Sequence, residues 1–191
     1  MSNKKRRGNL IIVSAPSGAG KTTLCQEALG HLSGITKSIS TTTRPPRSGE
    51  KEGIDYFFVT EDEFKKMVSE NRFAEWAKVH GHFYGTDKKF IEKKMADGID
   101  LLLNIDIQGA FQLKKHYPQA VLIFIHPPSM EELKQRLQKR QLDSELSIKK
   151  RLRESKKELE ASKEYQYHLV NDEFSKALSE LMTLIESVRK K

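Results

Sequence analysis

Three short, largely apolar runs mark the chain: Asn9 to Ser14, Leu101 to Ile105 and Ala120 to Ile125. Runs of this length without polar alternation suit strands buried on both faces, as in a parallel sheet covered by helices. Each is followed by a stretch of helical character, the first over Thr22 to Leu32. Later, Phe174, Ala177, Leu178, Leu181, Leu184, Ile185 and Val188 recur at helical spacing, which predicts an amphipathic C-terminal helix closing the core. Thr60 to Glu63 and Ser129 to Glu132 have capping-box spacing and predict two further helix starts, the second just beyond Pro127 and Pro128. The order strand, helix, strand, helix predicts an α/β fold.

Two stretches break the pattern. Thr41 to Gly53 is polar and holds Arg44, Pro45, Pro46 and Arg47, and short runs such as Tyr56 to Val59 then alternate with turns. This predicts an insertion over 37–88. Leu133 to Lys163 is helical in composition but poor in apolar residues, which predicts a solvated excursion with few core contacts over 133–163. Residues 1–36, 89–132 and 164–191 remain for the core. No internal repeat or low-complexity tract is present.

Composition narrows the classes. The 191 residues are 37% hydrophobic and 31% charged, and no apolar run approaches the roughly 20 residues of a membrane span. Leu10 to Val13 is also far shorter than the apolar region of a secretory signal. A single cysteine, Cys25, leaves no disulfide framework and no multi-thiolate zinc site, so a cytoplasmic protein is expected. The net charge of +8 is concentrated: Lys4 to Arg7 carry +4, and Lys134 to Lys163 hold eleven basic and five acidic side chains. The second stretch asks for an anion, either nucleic acid or a small polyphosphate. The first reads as a frayed basic end.

The chemistry begins at Ala15-Pro16-Ser17-Gly18-Ala19-Gly20-Lys21-Thr22, which matches the phosphate-loop pattern G-x-x-x-x-G-K-[ST] except that Ala15 stands at the first position. A strand leads in and a helix leads out, so backbone N–H groups can wrap phosphates at a helix N-terminus. Lys21 then reaches the β- and γ-phosphates, and the Thr22 hydroxyl ligates Mg²⁺. The motif reports a nucleoside triphosphate and leaves the acceptor open.

For the acceptor, Arg44 and Arg47 on a proline-stiffened loop can clamp a phosphate monoester, and the Tyr56 and Tyr84 hydroxyls can add donors without charge. The segments Ser38 to Glu50, Gly53 to Phe58, Phe73 to Ala77, Gly81 to Thr86 and Asn104 to Gly109, with the phosphate loop, resemble the guanylate kinase family over essentially the whole chain. The chemistry agrees with that resemblance: guanine presents N1–H and N2–H side by side, so a carboxylate such as Glu75 can accept both, whereas adenine offers an acceptor at N1.

That resemblance implies a phosphate-loop NTPase-type parallel sheet with helices on both faces, an inserted GMP-binding subdomain and a helical lid over 133–163. It implies transfer of the γ-phosphoryl of ATP to GMP, and also to dGMP, within purine nucleotide metabolism, with Mg²⁺ required. The GMP set it implies is Ser40, Arg44, Arg47, Tyr56, Glu75, Tyr84, Thr86 and Asp106. The ATP set is Ala15 to Thr22 with Thr23, Arg136, Arg140 and Asn171. Lys21, Arg44, Arg140 and Arg151 would meet the transferring phosphoryl, and Thr22 the metal. ATP and GMP are then the partners, with no nucleic acid and no membrane; oligomeric state is left open.

Two positions depart from the family pattern. Asn104 stands where an acid is usual, and Gln141-Leu142 follow Arg140 where Gly-Thr is common. Three other readings compete: a guanylate-kinase-like peptide-binding module without catalysis, a kinase for another small acceptor, and nucleic-acid binding through the basic stretch. The loop lysine and the arginines speak against the first, and Glu75 with Asp106 against the second. His80 and His82 lack a third nearby ligand and read as solvated or core-edge side chains, Cys25 as a buried small hydrophobe, and Phe57, Phe58 and Trp76 as core. Asp172 is a candidate helix cap.

Overall fold

The computed structural model of the chain describes residues 6–139 and 145–190. Its first elements are β1 (Leu10–Ser14), α1 (Lys21–His31), β2 (Ile35–Lys37), β3 (Ser40–Thr42), β4 (Tyr56–Phe58), α2 (Glu61–Ser69), β5 (Phe73–Val79) and β6 (His82–Asp87). There follow α3 (Lys88–Ala96), β7 (Asp100–Asn104), α4 (Ile107–His116), β8 (Val121–His126), α5 (Met130–Lys139), α6 (Glu145–Ala161), β9 (Tyr167–Val170) and α7 (Phe174–Arg189). The α/β alternation expected from the apolar runs is present. The chain forms two compact units, one of residues through Leu10 with Gly34–Ala120, the other of Ile11–Ser33 with the chain from Val121 onward.

In the second unit β1 runs parallel to β8, with Ile11 opposite Val121 and Ser14 opposite Phe124, and β8 runs parallel to β9. Every residue of β1 is buried, as are the four central residues of β8. Helix α1 packs against α7, which turns Ala177, Leu181, Ile185 and Val188 inward at helical spacing. Cys25 is buried on α1, where removal from water pushes its thiol up to about 12, so it stays a neutral apolar group. Helix α5 starts at the expected cap, with Ser129 Oγ accepting from the Glu132 N–H at 3.0 Å.

The stretch from 133 has more core than its composition promised. Leu133 and Leu137 are fully buried and, with Ile148, form a small cluster joined by Met130 and Leu152. A helix of mostly charged residues needs only one apolar stripe to be anchored, and each buried leucine contributes about 1.5–3 kcal/mol.

In the first unit β2 pairs parallel with β7, and the Leu101 N–H donates to the Asn9 carbonyl, continuing the ladder toward Leu10. A separate four-stranded sheet has the order β4-β3-β6-β5. Strands β5 and β6 form a hairpin around His80-Gly81, whose positive φ values of 49° and 91° suit a tight two-residue turn. That placement accounts for the two histidines, one in the turn and one opening β6. Helix α2 carries the expected capping box at Thr60 and Glu63. Its Phe64 stacks on Phe73 at 4.5 Å and on Phe83 at 5.4 Å, giving the sheet an aromatic core.

Two expectations about packing fail here. Trp76 and Phe57 are 39% and 41% exposed, not core: register puts both on the face that carries Phe83, but on the two edge strands, β5 and β4, so Trp76 borders the aromatic cluster at 5.9 Å from Phe83 and 6.5 Å from Phe64 without being enclosed by it. Phe58 is half-buried. The basic N-terminus is not frayed from Arg6 onward: Arg6 makes a two-oxygen contact, at 2.8 and 3.1 Å, with the fully buried Asp100 carboxylate, and Arg7 reaches Glu92 at 2.6 Å. A carboxylate with no exposure needs a charged partner, and Arg6 is that partner.

Candidate functional site

The loop from Ala15 to Gly20 joins β1 to α1 in the second unit. Gly18 and Gly20 adopt φ of 96° and 88°, a region that side chains resist. Gly20 is the N-cap of α1, makes no side-chain cap bond, and is followed by a first turn without acidic residues. The helix therefore begins with backbone donors and positive dipole uncompensated by its own side chains, which suits phosphate. Lys21 and Thr22 open the helix, and Thr22 and Thr23 are exposed.

Residues distant in sequence converge on this loop. Arg151 on α6 donates to Ser17 Oγ at 3.2 Å, and Asn171 after β9 donates from Nδ2 to the Ala19 carbonyl at 2.8 Å. Arg136 on α5 donates to the Asn171 carbonyl at 3.1 Å and from Nε to Glu132. Gly18 lies against Leu133 and Leu137, so the loop is seated on α5. Asn171 is buried with its amide nitrogen committed to the loop. Asp172 does not cap α7: the N-cap is Glu173, whose side chain makes no cap bond. Arg140, Gln141 and Leu142 lie outside the described residues.

The residues expected at an acceptor site lie in the first unit, and the four-stranded sheet arranges them. Ser40 pairs with Tyr56, Thr42 with Tyr84, and Glu75 with Thr86. Paired residues share a face and so do residues two apart, so Ser40, Tyr56, Glu75, Tyr84 and Thr86 all occupy one face. At one end Glu75 is 2% exposed, and Thr86 Oγ1 donates to its Oε1 at 2.6 Å. Burial, opposed by the Thr86 bond and aided by the Asp106 charge, pushes the Glu75 carboxyl up to about 7. Asp106 is the N-cap of α4 and accepts from the Gln108 and Gly109 N–H groups at 2.7 and 3.3 Å.

At the other end Arg44 is held in place. Glu50 accepts from its guanidinium at 2.7 and 2.9 Å, the Pro45 carbonyl accepts at 2.8 Å, and its centre lies 5.4 Å from the Tyr56 ring. Burial alone would weaken the Arg44 charge, but the bonds to Glu50 and Tyr84 outweigh it and hold the guanidinium above its ordinary value. Burial, followed by Tyr84, raises the Tyr56 phenol, so it remains a neutral donor. The Tyr56 and Tyr84 rings meet edge to face at 6.0 Å. Arg47 is exposed and bound through its backbone N–H to Glu50 at 2.8 Å. Glu50 is the residue that sequence reasoning left without a role; its place six positions after Arg44 on a turning loop was the available signal. Asn104 ends β7 and is half-buried.

Among the described residues no cluster of three or more His, Cys, Asp or Glu side chains could hold a metal, and no helix is long and apolar enough to cross a membrane.

The family model described as Guanylate kinase matches residues 7–188. A guanylate kinase from Geobacter metallireducens is 50% identical over 185 residues, 97% of this chain and 91% of that protein. A crystal structure of guanylate kinase from Anaplasma phagocytophilum superposes with a TM-score of 0.81 at 34% identity, covering 98% of this chain and 89% of that one. A gluconokinase from Sinorhizobium meliloti, at 14% identity and a TM-score of 0.54 over 97% of this chain and 95% of that one, shares the fold alone.

Proposed function

The chain belongs to the guanylate kinase family and is an ATP:GMP phosphotransferase, and we propose that its phosphate loop and its four-stranded sheet divide the work of donor and acceptor binding. The observation that carries the acceptor assignment is the shared face of Ser40, Tyr56, Glu75, Tyr84 and Thr86, with a buried carboxylate at one end and a braced arginine at the other. Such a face suits a molecule with paired N–H donors at one end and a phosphate at the other. Glu75 accepts N1–H and N2–H of guanine, Thr86, Ser40 and Asp106 complete the base site, and Arg44, Arg47, Tyr56 and Tyr84 hold the phosphate. dGMP fits the same face, since none of these contacts needs the 2′-hydroxyl.

On the donor side Ala15 to Thr23 wrap the ATP phosphates, with Arg136 and Asn171 on the nucleotide side. Lys21 and Arg151 stabilise charge on the transferring group, and Arg44 meets it from the acceptor. Arg140 is assigned to the same task by resemblance. Phosphoryl transfer needs little covalent help: the GMP phosphate oxygen attacks the γ-phosphorus, the bond to the ADP oxygen breaks, and preplaced cations meet the spread negative charge. The donor set fits Mg²⁺ carried mainly by ATP and water, with Thr22 as the protein's hydroxyl ligand. That ion, when bound, neutralises charge on the phosphate oxygens. A cytoplasmic setting fits these substrates.

The test is ADP release from Mg-ATP with GMP, dGMP, AMP, CMP and UMP and with no acceptor. Rapid release with GMP alone among the ribonucleotides is expected. Equal rates with AMP would overturn the guanine assignment, and a folded protein that binds GMP without turnover would point to a binding module.

A further inference from the structure

The position of Glu75 is set by a helix as well as by its own sheet. Strand β5 is the edge of the four-stranded sheet, so the outer main-chain groups of Trp76 have no strand beside them. Gln112 of α4 takes the place of one. Its Oε1 accepts from the Trp76 N–H at 3.1 Å, and its Nε2 donates to the Trp76 carbonyl at 2.9 Å. One amide side chain thereby closes both ladder positions of the residue next to Glu75.

One turn earlier on the same helix lies Gly109, buried against the acceptor carboxylate. A Cβ there would press on Glu75 Oε2 and Cδ. Gly109 is not among the residues with positive φ, so its backbone does not ask for glycine, and alanine is the better helix former. What requires glycine is the neighbouring carboxylate. Asp106, at the start of α4, faces the same carboxylate with its charge.

We infer that Gly109 and Gln112 are specificity-positioning residues, through which α4 places the Glu75 carboxylate for two-point recognition of guanine. Gln112 ties the strand to the helix, and Gly109 leaves the space into which Oε2 extends. The inference rests on the reading of Glu75 as the guanine acceptor. Neither residue touches the substrate, so the effect belongs in acceptor recognition and not in ATP binding or the chemical step.

The experiment compares GMP with IMP, which lacks the 2-amino donor, in the wild type and in Glu75→Gln, Gly109→Ala, Gln112→Ala and Gly109→Ala/Glu75→Gln, with thermal melts to confirm folding. Gly109→Ala is expected to raise KM for GMP about tenfold, the scale of one misplaced charged hydrogen bond, with KM for ATP within about twofold. Gln112→Ala should raise it about threefold, and both should narrow the preference for GMP over IMP. Because Gly109 acts through Glu75, its penalty should largely vanish in the Glu75→Gln background. A penalty that persists there in full, or wild-type selectivity in both Gly109→Ala and Gln112→Ala while Glu75→Gln loses it, would overturn the inference. Indifference to Glu75→Gln itself would instead overturn the reading of Glu75. If Gly109→Ala fails to fold, Gln112→Ala decides the question by the same selectivity ratio.

Discussion

The phosphate loop and the acceptor face solve opposite problems with opposite materials. The loop uses main chain: two glycines at positive φ, a helix whose cap is bare, and a lysine at its first position. The acceptor face uses side chains from four strands brought level by register. A backbone site reads charge and cannot distinguish bases. A side-chain site can, because a buried carboxylate rewards a paired donor and penalises its absence. The burial follows the same division, with Thr22 and Thr23 exposed and Glu75 and Thr86 enclosed.

Four substitutions or conditions would break or sharpen that contrast. The largest effect belongs to Lys21→Ala, which should lower kcat by about 10³ or more while leaving the dissociation constant of GMP within about twofold. Normal turnover in steady-state assays would remove the loop from the mechanism. Glu75→Gln comes next: it should cost GMP about 1–3 kcal/mol, since an amide keeps one acceptor oxygen and turns donors toward donors. Isothermal titration with GMP checks this, and the ATP constants should stay put.

A pH series separates the two regions without mutation. The Glu75 carboxyl sits at about 7 in the free protein, and guanine needs it ionised, so GMP affinity should be full above pH 8 and fall as pH drops through 7. Between pH 8 and pH 6 the ionised fraction falls about tenfold, and KM for GMP should rise by that factor. Glu75→Gln should keep only the smaller dependence due to the GMP phosphate itself; an unchanged profile would show that Glu75 is not the titrating group. The smallest effect expected is that of Glu50→Gln. Arg44 keeps its charge but loses a charge-assisted brace, so GMP binding should weaken by about 1 kcal/mol, measurable as a few-fold rise in KM.

Legibility differed in the same way between the regions. The strand-loop-helix of the phosphate-loop motif could be read because it depends on consecutive residues: a strand, two glycines, Lys21 and Thr22 suffice to describe it. For the proposed acceptor face, candidate residue types could be named, yet whether they share a face depends on Ser40 meeting Tyr56 and Glu75 meeting Thr86, pairings between segments far apart in the chain. Trp76 and Phe57 were misread as core for that reason: hydrophobicity favours burial, but strand order placed both on the edge strands of the sheet, β5 and β4. Arg6 and Arg7 were misread because their partners, Asp100 and Glu92, lie more than eighty residues away.

Some features belong to the chain alone: the α/β alternation, the phosphate-loop motif, the helix caps at Thr60 and Ser129 and the inward stripe of α7. They depend on neighbours within a few residues, where helix and strand periodicity and backbone sterics act. Tertiary structure decided the rest. It braced Arg44 with Glu50, tied Ala19 to Asn171, and enclosed Glu75 between Thr86 and α4 until its carboxyl rose to about 7. Desolvation and charge pairing depend on what lies within a few ångströms in space, and only the folded chain determines that.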